Sequence, residues 1–404
     1  MTSSLHNIRV LDLSRVLAGP VCTQILGDLG AEIIKIERPG QGDDTRQWGP
    51  PFLKDSRGND TQESAYYLSC NRNKKSVTVD ISTPEGQKII RDLMAVSDVV
   101  IENYKVGSLE KYGLGYEQVK ADFPRLIYAA ISGFGQNGPL SSEPGYDFMI
   151  QAMGGLMAST GEPHDTPMKS GVAISDIMTG LYTAIGILAA LNHRNTTGQG
   201  QMVDVALLDV TLASMTNLAQ YYLTSGAPAP RQGNAHATIV PYQSFETSDS
   251  HIVIAVGNDR QFQHLCQALN HPAWAQDPRF ADNKSRVMHR DVLIPLLSDV
   301  LKTRPTDEWV RMFQDVDVPA SAINRIDEVF ALPQIVAREM KISLPHPQTD
   351  HPIDLVGSPL KLSETPVSYR HPPPTLGADT HSVLERLLGM KSGDITALKN
   401  KGIV

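Results

Sequence analysis

The residue best placed to do chemistry is Asp176, which follows Gly171-Val172-Ala173-Ile174-Ser175 at the start of a long apolar helical pattern. An aspartate there has an ordinary role, capping the helix by accepting a backbone N–H. It has a second one: a carboxylate can act as a nucleophile on an activated acyl group, and a helix start carries partial positive charge that favours an anion. Gly171, Ala173 and Gly180 are small and would leave room for a substrate. Asp147, after Gly145-Tyr146, also opens a helical pattern, and capping is its default reading.

Cations are the second ingredient. Arg15 and Arg38 each stand at the exit of an apolar run, Ile8 to Leu13 and Ile33 to Ile36. Asn71-Arg72-Asn73-Lys74-Lys75 gathers three cations in four residues, either a solvated surface or a site for phosphates. Asp43 to Pro50 mixes charge with Trp48 and turn residues, and is either a surface loop or a lid that brings Arg46 to a substrate carboxylate. There is no G-x-G-x-x-G at the first turn, no Walker loop, no G-x-S-x-G, no C-x-x-C and no H-E-x-x-H. Dinucleotide dehydrogenases, P-loop enzymes and serine hydrolases are therefore disfavoured, and no metal site is expected.

The elements that must carry these residues alternate. A strand-like run to Leu13, a helix to Leu29 and a strand over 33–36 form a first βαβ unit. Strands at 76–80, 98–102, 126–132 and 202–206 alternate with helices at 84–96, 147–158 and 175–193. Such alternation implies a doubly wound parallel sheet, whose ligands lie at the carboxyl ends of the strands. A long helix over 208–223 precedes Gly226-Ala227-Pro228-Ala229-Pro230, a linker signal. Beyond it, one strand at 252–256 and helices at 259–269, 291–302 and 306–316 suggest a smaller α+β domain. The Pro-rich stretch from Pro345 to Pro374 reads as an ordered crossing, and the helix at 381–388 as a return to the first domain. The expected division is 1–207 plus 330–404 as the large domain, 208–230 as linker helix and crossing, and 231–329 as the small domain.

The 404 residues are 41% hydrophobic and 20% charged, with formal charge −8. That balance gives no general pull toward nucleic acid or acidic membranes. Cys22, Cys70 and Cys266 are too few and scattered for a disulfide framework, which fits a reducing compartment. No secretory apolar core opens the sequence, and a cytoplasmic location is expected.

The motifs taken together are more specific. Arg15-Val16-Leu17-Ala18-Gly19-Pro20, Leu26 to Glu37, Asn71 to Ser76, Glu102-Asn103-Tyr104, Gly133-Phe134-Gly135, Gly145-Tyr146-Asp147, Gly171 to Asp176 and Pro372 to Gly377 occur in the order and setting seen in class III CoA-transferases. The chain resembles that family from about residue 8 onward. Within it, Gly42 to Arg46 with Trp48 to Phe52, Asn71 to Ser76, and Ala235-His236 with Ile239 to Gln243 resemble the branch that exchanges CoA between succinyl-CoA and glutarate.

The resemblance implies a large Rossmann-like domain built from both ends of the chain, a small inserted domain, and an interlaced homodimer. It implies no tightly bound cofactor, with coenzyme A and acyl-CoA as substrates. Asp176 matches the family nucleophile, which forms an aspartyl anhydride and then an aspartyl-CoA thioester. Arg15, Val16, Ala18, Arg38, Arg72, Lys75, Asn103, Tyr104 and Lys111 match CoA-binding positions, and Gly133-Phe134-Gly135 adds backbone donors for tetrahedral oxyanions. Leu17, Arg46, Tyr146, Asp147 and His236 fall on the substrate side, with Arg46 or His236 as holders of a distal carboxylate. Leu17 replaces the glutamine of formyl-CoA transferase, and Ala235 to Gln243 occupies the place of its glycine-rich flap; both differences argue against oxalate as acceptor. A racemase of the α-methylacyl-CoA type would need a histidine where this chain has Tyr146, whose phenol is a poor base near neutral pH.

Overall fold

A computed structural model describes residues 3–404. It separates into two compact units: Met1–Leu156 with Lys169–Gly226 and Gln334–Val404, and Met157–Met168 with Ala227–Pro333.

The first unit is built on six strands: β1 (Arg9–Asp12), β2 (Glu32–Glu37), β3 (Lys74–Thr78), β4 (Val99–Glu102), β5 (Ile127–Ser132) and β6 (Met202–Ala206). All neighbours are parallel, in the order β3-β2-β1-β4-β5-β6. Parallel strands are covered on both faces, so they read as continuous apolar runs. Successive side chains divide between the faces. Leu11, Ile34, Val77 and Val100 join a core with α2 (Pro84–Ala95) and α6 (Thr380–Leu388). Val10, Ile33, Val99 and Ile127 join the opposite core with α1 (Ala18–Asp28) and α4 (Ile174–Thr197). Proline opens α2, and Thr83 caps it by accepting from Gly86 N–H.

The order of strands reverses between β1 and β4, and such a switch point opens a crevice at the carboxyl ends. Two further helices, α3 (Asp147–Met153) and α5 (Leu207–Ser214), pack on α4 near that edge. Helix α4 is long and apolar enough to cross a membrane by length and composition, with mean hydropathy 1.6. Here it packs against α1, β5 and β6.

Several local expectations differ from the structure. The helix expected over 147–158 stops at Met153, and a separate turn of helix covers Leu156–Ser159. The one over 208–223 breaks into Leu207–Ser214 and Thr216–Ser225 at Thr216, whose φ is +36°. Residues 208–226, expected as linker, belong to the first unit, and 157–168, expected in the large domain, belong to the second. A hairpin at Phe52–Lys54 and Asp60–Ser64 and a final helix at Ser392–Asn400 had no clear sequence signal. The Pro-rich crossing contains a strand, Ile353–Val356, antiparallel to Lys341–Leu344.

The second unit has a three-stranded antiparallel sheet of Tyr242–Glu246, His251–Ala255 and Ala320–Ala322. Helices Asp259–Ala268, Arg290–Leu301 and Thr306–Gln314 cover it with Phe262, Leu297, Trp309 and Phe313.

Candidate active site

The crevice at the switch point has a volume of about 570 Å3. Arg15 to Ala18 leave β1, Asn103 to Val106 leave β4, Ser132-Gly133 leave β5 and Leu207 leaves β6; all line it, with Gly145-Tyr146-Asp147 and Asp176. The sequence-expected Arg15, Val16, Leu17, Ala18, Asn103, Tyr104, Gly133, Tyr146, Asp147 and Asp176 are thus brought together.

The wall formed by Ser14–Ala18 is constrained on several sides. Val16 has φ +70°, a left-handed conformation that a β-branched residue adopts at a cost of roughly 1–3 kcal/mol. Asn103 holds the preceding residue at both ends: its Oδ1 accepts from Arg15 N–H at 2.8 Å and its Nδ2 donates to Arg15 C=O at 2.7 Å. Asp43 Oδ1 accepts from Val16 N–H at 3.3 Å. Lys35 Nζ donates to Ser14 C=O at 3.0 Å and to Asp43 Oδ2 at 2.8 Å. Asp12 accepts from Ser14 N–H at 2.9 Å and from Lys74 Nζ at 3.4 Å. Both lysines and both aspartates are fully buried. Burial alone would raise the Asp43 carboxyl, but Lys35 and the Thr45 donors outweigh it and hold it at about 2.

On the opposite wall, Asp176 is the third residue of α4 and does not cap it; Ala173 at the cap position has no side chain to do so. The cap comes from Asp147. Its Oδ1 accepts from Ser175 N–H at 2.9 Å and from Asp176 N–H at 3.3 Å. Asp147 reaches this place through a backbone contact: a Cβ on Gly133 would lie 2.6 Å from the Gly145 Cα, so only glycines allow the approach. A Cβ on Gly180 would lie 2.7 Å from Ala18 C=O, so the first turns of α4 also pack directly on the start of α1. The Asp176 carboxylate accepts no hydrogen bond from the described residues. Burial, with the Asp147 charge beside it, pushes it up to about 7.

Five sequence-expected cations are elsewhere. Arg72, expected at phosphates, is buried and bidentate to Asp28 at 2.9 and 2.6 Å, with its third nitrogen on Val356 C=O. Arg46, expected at a substrate carboxylate, is buried with all three nitrogens engaged by Glu37 at 2.8 Å, Glu63 at 2.6 Å, Tyr67 and Pro374 C=O. Both expectations are corrected: these side chains hold the fold. Lys75 pairs with Glu32 at 2.7 Å on the edge strand, away from the crevice. Arg38 and Lys111 are exposed and do not line it. Phe134 packs into the core, and Gly135 N–H donates to Ser132 Oγ at 2.8 Å, so this loop gives Gly133 alone to the crevice. His236 belongs to the second unit, where its ring packs on Tyr242.

Asp44 and Trp48, from the stretch expected as a surface loop or a lid, also line the crevice, and sequence reasoning missed Lys105 and Glu143 there. Arg15 pairs with Asp44 at 3.1 Å and lies over the Tyr104 ring. Trp48 meets Tyr66 edge-on at 5.2 Å between centroids. Burial, and then the nearby Asp176 charge, pushes the Tyr66 phenol up to about 12, so it is a neutral hydroxyl beside the carboxylate. Lys105, directly after Asn103-Tyr104, was the more readable of the two. A second cavity of about 230 Å3 shares Lys105 and Val106 with the first. Glu102 lines it, a buried carboxyl that burial, and then Glu110 and Asp204, push up to about 8.

Comparison with known proteins gives one family. The model of CoA-transferase family III matches residues 5–380. A succinate–glutarate CoA-transferase of Agrobacterium fabrum is 46% identical over 95% of this chain and 95% of its own length. The human succinyl-CoA:glutarate CoA-transferase is 42% identical, covering 99% of this chain and 90% of its own. The crystal structure of a CaiB/BaiF family protein from Brucella suis superposes with TM-score 0.85 at 44% identity, over 96% of this chain and 100% of that one.

Proposed function

Because the chain belongs to CoA-transferase family III and is an acyl-CoA:carboxylate CoA-transferase, we propose that it moves CoA from succinyl-CoA to a dicarboxylate such as glutarate, with Asp176 as the covalent nucleophile. The choice of acids follows the names of its relatives. The observation that carries the nucleophile is the Asp176 carboxylate in the crevice, half-buried and without a hydrogen-bond donor of its own.

The carboxylate attacks the thioester carbonyl, forming an aspartyl–succinyl anhydride and releasing CoA thiolate. The thiolate attacks the aspartyl carbonyl, giving the aspartyl-CoA thioester and free succinate. Glutarate attacks that thioester and forms a second anhydride, expelling the thiolate again. The thiolate then takes the glutaryl carbonyl, and Asp176 returns as a carboxylate. No net proton or electron is used, and each step keeps one activated acyl bond.

The thiolate must stay bound through both half-reactions. Asn103 and the Arg15–Ala18 wall support the pantetheine path, with Tyr104 beside it. Arg15 and Lys105 are the cations that line the crevice, available to phosphate or to a distal substrate carboxylate; exposed Arg38 and Lys111 remain candidates for phosphate. Ser175 and Asp176 N–H are taken by Asp147, so the start of α1, which has no side-chain cap, is the better source of oxyanion donors.

A homodimer is part of the reading. It is supported by an apolar face left open on α4, where Leu181, Tyr182, Ile185 and Leu188 are 38–61% exposed.

The test is covalent. With succinyl-CoA and hydroxylamine, Asp176 of the wild type should be modified, read by peptide mass spectrometry. Asp176→Asn should retain CoA binding and lose exchange by more than about 1,000-fold. Full turnover by that variant would remove the nucleophile.

A further inference from the structure

Asp147 sits outside the helix that carries Asp176, yet it organises the start of that helix. Its Oδ1 accepts from the N–H groups of Ser175 and Asp176, at 2.9 and 3.3 Å. Its Oδ2 accepts from Gln151 Nε2 at 2.7 Å, and Gln151 Oε1 accepts from Ser170 N–H at 2.9 Å. One carboxylate and one amide, a single turn apart on α3, thereby fix both the approach to α4 and its first turn. From the far side, Thr211 of α5 donates to Ser175 Oγ at 2.8 Å.

The free N–H groups at a helix start are the natural partners of a carboxylate placed there. Here another carboxylate has taken them. A carboxylate that accepts hydrogen bonds is stabilised and less basic, and one denied them keeps its basicity. We propose that Asp147 is a positioning residue for the nucleophile: by capping α4 it fixes the Asp176 backbone and leaves the Asp176 carboxylate unbonded and ready to attack the acyl carbon. This inference rests on the reading of Asp176 as nucleophile.

The surroundings single out Asp147 for this role. Tyr66 from the Ala65–Ser69 helix and Tyr104 and Tyr146 on the crevice are phenols. Arg15, Lys105, Asp44 and Glu143 also line the crevice. From α1 and α5 the crevice receives Ala18 and Leu207, neither of them ionisable. Apart from burial, the Asp147 charge is what raises the Asp176 carboxyl.

Two variants separate the capping contact from the charge. Asp147→Asn retains an oxygen that can accept the two N–H groups and removes the charge. Asp147→Ala removes both. The measurements are kcat/KM for succinyl-CoA against pH, which reports the free enzyme, and CoA affinity by calorimetry. The wild type should rise with pH through about 7, as Asp176 ionises. In Asp147→Asn that limb should move down by about one pH unit, with CoA affinity unchanged. In Asp147→Ala, kcat should fall by about 100-fold while CoA still binds. An unshifted limb in Asp147→Asn, a normal kcat in Asp147→Ala, or a parallel loss of CoA affinity would each overturn the proposal. Failure of the underlying reading looks different: the wild type itself would then carry no succinyl-CoA-dependent hydroxamate at Asp176.

Discussion

The two walls of the crevice are held by opposite means. Beneath Ser14–Ala18 lie two fully buried lysine–aspartate pairs, Lys35 with Asp43 and Lys74 with Asp12. The start of α4 is held by the Asp147 carboxylate and its amide neighbour Gln151, with no ion pair to either Asp147 or Asp176 among the described residues. The difference follows from the task of each wall. The first must keep Val16 in an unfavourable backbone conformation, and strongly coupled charges are an effective way to do so. In the proposed mechanism the second must leave the Asp176 carboxylate reactive, and a cation nearby would stabilise it and lower its basicity.

The sharpest way to break this comparison is Lys35→Met. It leaves Asp43 buried and unpaired, which should cost about 3–5 kcal/mol, read by urea unfolding. The sign of the pH effect is set by Asp43, whose carboxyl is held at about 2, below its unfolded value. Its contribution is present above the unfolded value and is lost as pH falls toward 2. Lys35→Met should therefore flatten the acid limb of stability; an unchanged midpoint and limb would show that charge does not support this wall. Asn103→Ala tests the neutral part of the same wall. Losing its two contacts to Arg15 should raise KM for acyl-CoA by about tenfold with little change in kcat. Equal losses in both would place Asn103 in the chemical step instead.

Glu102, at the end of β4, sharpens the contrast most finely, because it is a buried carboxyl with no cation paired to it among the described residues. Its value is raised to about 8, so the stability it contributes is present below its unfolded value and is lost as pH rises through 8. Glu102→Gln should remove that loss, raising stability at pH 9 by up to about 4 kcal/mol more than at pH 5, by thermal unfolding. An equal gain at both values would point to packing rather than ionisation.

Much of the frame was readable in order: strand, helix and strand signals marked every member of the central sheet. The pairing order was not, because adjacency between β1 and β4 joins segments almost ninety residues apart. Arg46 and Arg72 were misread for the same reason. A cation cluster looks available until its carboxylates arrive from Glu37, Glu63 and Asp28 in three dimensions. Asp147 was readable as a cap, but the helix it caps begins far along the chain. Asp176 carried the strongest local signal: small residues before it and a long apolar helix after it.

One further feature bears on how the molecule is made. Residues 370–404 complete the β3 edge: Asn73 N–H donates to His371 C=O, Asp379 N–H to Ser76 C=O and Asp80 N–H to Ile403 C=O, while Val383, Leu384, Ile395 and Val404 enter the core beside Leu11 and Val77. A growing polypeptide leaving the ribosome at about 5–20 residues per second therefore holds its early strands uncovered for tens of seconds. The inserted unit, complete by Pro333, has no such wait. Chaperone dependence during synthesis should accordingly belong to the larger unit, which holds the crevice.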